Sequence, residues 1–339
     1  MTRDLNTQRE VRAKGPGPEA ETMRLAYLGL LKLTLCDLAG AGSLTVEFLK
    51  DSRVYSRELA PEHPEPRIEG RDWPWSGLTM AGLERLDDLQ HCVESVVSED
   101  VPGDLIEAGT WRGGASILMR ATLDSLGDAD RTVWVADSFQ GFPGREDGGA
   151  EADLGPGEMT MLEFLSISVD EVRGNFERFG LGDGVKFVPG FFAETMPGLA
   201  GRRWSVVRLD GDSYDATRAC LEVLYPGLSK GGYLVVDDYG AIDGCRQAVD
   251  EYRAEEGIEE PLERVDWTCV RWRRESDAVA ATAPGDARAE NPEQVQPAAH
   301  RRPGSRVPSI RELQLRKEIA ELREHESKPA PKRWRVGRG

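Results

Sequence analysis

Apolar positions recur at helical spacing in two places within the first hundred residues. MRLAYLGLLKLTLCDLA, residues 23–39, reads as one helix. TMAGLERLDDLQHCVESVVSE, residues 79–99, reads as a second, with Met80, Leu83, Leu86, Leu89, Val93 and Val96 or Val97 on one face. Between them, SRELAPEHPEPRIEGRDWPWSG is rich in proline and charge and reads as a loop. From Gly103 short apolar runs alternate with amphipathic stretches. DLIEAG, TVWVADSF, VKFVPGFF, VVRLD, YLVVDDY and VDWTCVRWRR are expected strands. SILMRATLDSLG, residues 169–179, DATRACLEVLYPGL and AIDGCRQAVDEYRAEEGI are expected helices. This alternation predicts an α/β fold with a doubly wound, mostly parallel sheet, whose ligands sit at the carboxyl ends of the strands.

The pattern also divides the chain. Residues 1–21 read as a flexible polar arm, 22–102 as an N-terminal helical lid region, and 103–274 as the α/β domain. Residues 275–339 lose their large apolar positions, end in a basic stretch, and read as a largely disordered tail. Within it, SIRELQLRKEIAELREHE is compatible with a short helix capped by Ser309 and Glu312. Residues 141–161 read as a loop.

Charge narrows the class. A net charge of -17 argues against nucleic acid as a partner. No apolar run is long enough to span a membrane, and the start lacks a secretory core segment. Five scattered cysteines without CxxC spacing fit reduced thiols, hence a cytoplasmic protein.

Candidate chemistry sits at the strand ends. DLIEAGTWRGGAS places Glu107 and Gly109 at the end of one strand. Gly113 and Gly114 open the helix that follows, and Gly113 and Ser116 are read as cofactor contacts with them. Asp137 ends the next strand, where it can accept from a ribose diol or serve as a cap. An acidic mouth suits the cationic S-adenosylmethionine better than the pyrophosphate of NAD, which asks for several N–H donors. Further on, Asp210 and the Asp237-Asp238 pair each follow an apolar run. A right-handed crossover makes those two strands parallel. As neighbours, their ends would lie about 5 Å apart. Three converging aspartates with no His or Cys would select a hard cation, Mg2+ or Mn2+. Asp212 lies two residues beyond Asp210, within reach of a substrate hydroxyl as general base. Capping of the following helices by Asp212, Ser213 or Asp238 is the plainer alternative. The Asp210-Gly-Asp212 triplet also admits a metal-dependent glycosyltransferase.

Taken together, DLIEAGTWRGGAS, TVWVADSFQGFP, VRLDGDSYDATRACLEVLYPGLSKGGYLVVDDYGAIDGCRQAVDEYR and VDWTCVRW resemble the macrocin O-methyltransferase family, as do DWPWSGLTM and ERLDDLQHCVE upstream. The resemblance covers roughly residues 23–274 and implies a class I methyltransferase-like fold. It implies S-adenosylmethionine- and Mg2+-dependent methylation of a sugar hydroxyl on a glycosylated natural product, macrolide- or aminocoumarin-like, by a homo-oligomer. By the same resemblance Asp210, Asp237 and Asp238 match metal ligands and Asp212 the base. Glu107, Gly109, Asp137 and Ser138 match cofactor contacts, and Gly190 and Phe191 the lining of the adenine. One departure stands out: Leu78 occupies the place where the family pattern has a histidine before Thr79-Met80.

Overall fold

The computed structural model describes residues 17–40, 42–48, 54–60, 63–141 and 164–276. The expected loop at 141–161 (beyond Gly141) and the tail beyond residue 276, including the Ser309 segment, lie outside them.

Helix α1 (Pro18–Leu35) begins five residues before the start that hydrophobic spacing predicts. Proline in the first turn, with Glu19 and Glu21 behind it, suits a helix start, because the first N–H groups have no acceptor within the helix, so proline forfeits no helix bond there, and acids favour that end. Those polar residues hid the first turn, so the boundary of the arm is corrected to before Pro18. A second correction concerns the lid region. Strands β1 (Leu44–Phe48) and β2 (Val54–Glu58) form an antiparallel pair where the sequence reading has no strand. A single turn, α2 (Glu65–Ile68), follows. Helix α3 (Leu83–Ser98) starts later than expected, after the cap residue Gly82, and buries Leu86, Leu89, Val93 and Val96.

The α/β part runs β3 (Asp104–Ala108), α4 (Gly114–Ser125), β4 (Val133–Asp137), α5 (Val169–Arg178), β5 (Val185–Pro189) and α6 (Phe192–Thr195). It continues with β6 (Trp204–Leu209), α7 (Tyr214–Leu224), β7 (Leu228–Val236), α8 (Asp243–Glu255), β8 (Glu263–Arg264) and β9 (Val270–Arg273). These strands form one seven-stranded sheet in the order β5-β4-β3-β6-β7-β9-β8. The first five are parallel, while β9 runs antiparallel to both β7 and β8. The doubly wound expectation therefore holds.

Alternation along the central strands explains the layers. Leu105, Val135, Val206 and Val235 face a cluster shared with α1, α3, α4 and α5. Ile106, Trp134, Val207 and Leu234 face the opposite cluster, shared with α7 and α8. A parallel strand buried on both faces needs this continuous apolar run. No helix among the described residues is long and apolar enough to cross a membrane.

Candidate active site

The carboxyl ends of β3, β4, β6 and β7 open into a cleft of about 590 Å3. The β6–β7 register pairs Leu209 with Val236, so the next residues, Asp210 and Asp237, stand side by side. One carboxylate oxygen from each of Asp210, Asp237 and Asp238 lies within 4.8 Å of the others. The geometry read from the sequence is thus present: two adjoining strand tips bring three aspartates together.

The sequence reading missed what lies beneath them. Arg208, 3 % exposed on β6, sits opposite Glu107 in the β3–β6 ladder. Its guanidinium reaches Glu107 at 2.5 Å, Asp210 at 2.9 Å and Asp237 at 2.5 Å. Arg85, from the apolar face of α3, pairs with Asp237 and, at 2.8 Å, with Asp266. Its remaining nitrogen donates to the Gly70 carbonyl at 3.1 Å. A signal for both was available. Arg208 interrupts a wholly apolar run, and Arg85 falls on the stripe of Leu89 and Val93. A cation in such a place must be paired.

Two guanidinium groups do not neutralise this cluster, which also holds Asp212 and Asp238. Burial would raise Asp237, yet Arg208 and Arg85 outweigh it and hold that carboxyl below its ordinary range. Asp210 is raised by burial and by the Asp237 charge. Asp238 is raised by burial and by Asp210, Asp212 and Asp237, and no Lys or Arg among the described residues pairs with it. Burial and the charges of Asp210 and Asp237 push Asp212 up to about 8. Asp212 itself lies at the open mouth of the cleft, within reach of the charges of Asp210 and Asp237. Oxygen-only donors with unbalanced negative charge fit a hard divalent cation.

Asp212 has a left-handed backbone (φ 55°), and its N–H donates to Asp238 at 3.3 Å. The capping alternative for Asp212 fails: Ser213 caps α7, accepting from the Ala216 N–H at 3.2 Å. Nor does Asp238 cap α8, whose preceding residue, Ile242, makes no side-chain cap.

On the β3–β4 side, Gly109 has φ 88°, and a side chain there would overlap the Asp210 carbonyl oxygen. Glycine therefore lets the two strand tips meet. Asp137 accepts from the N–H groups of Thr110 at 2.8 Å and Phe139 at 2.9 Å, and more distantly from Trp111 and Ser138 at 3.3 and 3.4 Å. Gly109, Asp137, Ser138 and Phe191 line the cleft. Glu107, Gly113, Ser116 and Gly190 do not. Glu107 is 1 % exposed, takes the Ser116 hydroxyl as well as Arg208, and is raised to about 7 by burial. Gly113 packs against Val172, and Gly190 closes the β4–β5 ladder by donating to Asp137 O at 2.9 Å.

The lid region meets the cleft through Gly70, Trp73, Met80 and Ala81. Leu78 lies elsewhere. Its N–H donates to Leu35 O at 2.8 Å, its carbonyl accepts from Gly114 at 2.9 Å, and its side chain joins the core. Arg112, 2 % exposed, donates to the carbonyls of Trp75 and Gly77, both at 2.9 Å, and so ties the lid to the start of α4.

Residues 26–274 match the family model described as Macrocin-O-methyltransferase (TylF). The chain is 45% identical over 268 residues to 8-demethyl-8-(2,3-dimethoxy-alpha-L-rhamnosyl)-tetracenomycin-C 4'-O-methyltransferase of Streptomyces olivaceus, covering 78% of this chain and 98% of that one. It is 43% identical over 254 residues to Mycinamicin III 3''-O-methyltransferase of Micromonospora griseorubida, covering 73% and 96%. Among solved structures it resembles the O-methyltransferase NovP, with TM-score 0.65 and 41% identity over 75% of this chain and 100% of that one. These likenesses set aside the glycosyltransferase reading of Asp210-Gly-Asp212.

Proposed function

Because this chain belongs to the macrocin O-methyltransferase family and is an O-methyltransferase of class I fold, we propose that it methylates a sugar hydroxyl of a glycosylated natural product, using S-adenosylmethionine and Mg2+ or Mn2+. The observation that carries the reading is the convergence of Asp210, Asp237 and Asp238 within 4.8 Å beside the cleft. Those three would hold the cation. When bound, the sulfonium compound supplies the methyl group and the cation makes the sugar hydroxyl more acidic. Asp212 accepts the hydroxyl proton on its cleft-facing carboxylate. Asp137, Ser138, Gly109 and Phe191 hold the donor's nucleoside at the β3–β4 side. Glu107 and Ser116 act from below, fixing Arg208 and through it Asp210 and Asp237. Gly113 and Gly190 shape the turns around the donor.

The test is turnover of S-adenosylmethionine with two acceptors, mycinamicin III and 8-demethyl-8-(2,3-dimethoxy-alpha-L-rhamnosyl)-tetracenomycin-C, read as a one-methyl mass gain. EDTA is expected to abolish the gain and added Mg2+ to restore it. Full turnover in EDTA would remove the cation from the reading while leaving methyl transfer intact.

The same reading makes the enzyme a homo-oligomer. Met23, Leu25, Tyr27, Leu30 and Leu33 of α1 are all exposed, Met23 by 74 % and Leu30 by 61 %. The opposite side of α1 is held to α3 through Arg24–Glu94 and Lys32–Gln90. A helix apolar on both sides calls for cover on both, and a second copy supplies it. Leu30→Glu is expected to reduce the mass seen by light scattering to that of a monomer without lowering Tm. A wild-type protein already monomeric at micromolar concentration would refute this. The five cysteines are all free and buried, in keeping with a cytoplasmic setting.

A further inference from the structure

We propose that the Trp267 indole is the platform on which the acceptor's sugar ring stacks. The inference rests on the methyl-transfer reading and assigns a specificity-determining residue within it. Trp267 lines the cleft. It precedes β9, and the order β4-β3-β6-β7-β9 puts it across the metal-binding tips of β6 and β7 from the β3–β4 side. In-line methyl transfer brings the acceptor oxygen in from the side away from the donor's sulfur, so an acceptor for a donor held at the β3–β4 side would approach from the direction of β7 and Trp267.

The other lining tryptophans are engaged. Trp73 stacks on Phe164 at 6.1 Å, and Trp111 lies 5.6 Å from Phe164 with the Arg112 guanidinium 4.1 Å from its ring. Trp267 has no aromatic partner among the described residues. The guanidinium of Arg71, which does not line the cleft, lies 4.5 Å from its ring. An indole with remaining apolar surface in a largely apolar, acid-tipped cleft matches the C–H face of a pyranose, whose hydroxyls point outward from that face.

The ring is also held in place, which a platform requires. Its N–H donates to Glu69 O at 2.9 Å. The loop beneath it is pinned on both sides. Asp266 accepts from the N–H groups of Thr268 at 2.9 Å and Cys269 at 2.7 Å, and pairs with Arg85. Thr268 donates its hydroxyl to the carbonyl of Asp237 at 2.9 Å, and its own carbonyl accepts from Gly240 at 2.7 Å. The position of the indole is thereby set relative to a proposed metal ligand, with few rotatable bonds between.

The experiment compares wild type, Trp267→Ala and Trp267→Phe with Mg2+ and the same two glycosides, by turnover and by calorimetric binding. For Trp267→Ala the acceptor KM is expected to rise about tenfold or more, with the S-adenosylmethionine KM unchanged. Trp267→Phe lacks the N–H but keeps a ring, and is expected to recover the acceptor KM to within about threefold. An unchanged acceptor KM in Trp267→Ala overturns the platform. So does a Trp267→Phe as poor as the alanine variant, because the effect would then belong to the hydrogen bond with Glu69. Wild type that binds S-adenosylmethionine yet neither binds nor methylates either glycoside overturns the acceptor reading itself, and the platform with it.

Discussion

Asp238→Ala is expected to lower kcat/KM on the order of a thousandfold while leaving the Tm of the metal-free protein unchanged or slightly higher. The two effects separate because of how Asp238 is placed. It supplies one of three converging oxygens, so its removal would take away a third of the oxygens proposed to hold the cation. It has no Lys or Arg partner among the described residues, and Asp210, Asp212 and Asp237 all repel its charge. Deleting it strands no buried cation and relieves that repulsion. Differential scanning fluorimetry with and without Mg2+ reads the second half directly. Wild type is expected to gain a few degrees from saturating Mg2+, and Asp238→Ala to gain none. Undiminished turnover would rule Asp238 out as a ligand. Asp237→Ala is a poorer choice, since Asp237 is 5 % exposed and bonds both Arg85 and Arg208. Its loss would unbalance two buried guanidinium groups, so stability and activity would fall together.

Arg208→Met is expected to cost about 3–5 kcal/mol of stability, which for a domain of this size lowers Tm by roughly 10 °C. The side chain is 3 % exposed and compensates Glu107, Asp210 and Asp237 together. Methionine fills the volume but leaves those carboxylates facing one another. Arg208→Lys keeps the charge without the planar fork that reaches three acceptors, and is expected to fall between the two. Urea unfolding followed by far-UV circular dichroism measures the series. A methionine variant within about 0.5 kcal/mol of wild type would show that Arg208 is not what holds the acidic tips together.

The layering of the α/β part was legible because its central strands, β3, β4, β6 and the second half of β7, are buried on both faces. Runs such as Leu105-Ile106 and Leu234-Val235-Val236 carry that burial in plain apolar residues. The antiparallel pair β1–β2 was not, because LTVEF and VYSRE are short and half polar, and a proline-rich stretch begins three residues after β2. At the site, Asp210, Asp237 and Asp238 could be located because each ends an apolar run, and strand adjacency does the rest. Arg85 and Arg208 could not be matched to their partners by spacing. Residues 85, 107, 208, 237 and 266 meet only after the sheet and α3 have packed, so the pairing belongs to tertiary structure. Trp267 was hidden likewise: nothing local distinguishes it from the other apolar positions of VDWTCVRWRR.

One guanidinium, Arg85, bonds a proposed metal ligand, a loop carboxylate and the Gly70 carbonyl. This limits where the enzyme can be recombined with its relatives to alter acceptor choice. A crossover between positions 70 and 85 would draw the carbonyl and its donor from different parents. Chimeras joined upstream of Gly70 keep that junction native, and libraries built with their seams there should retain far more folded members than those cut inside it.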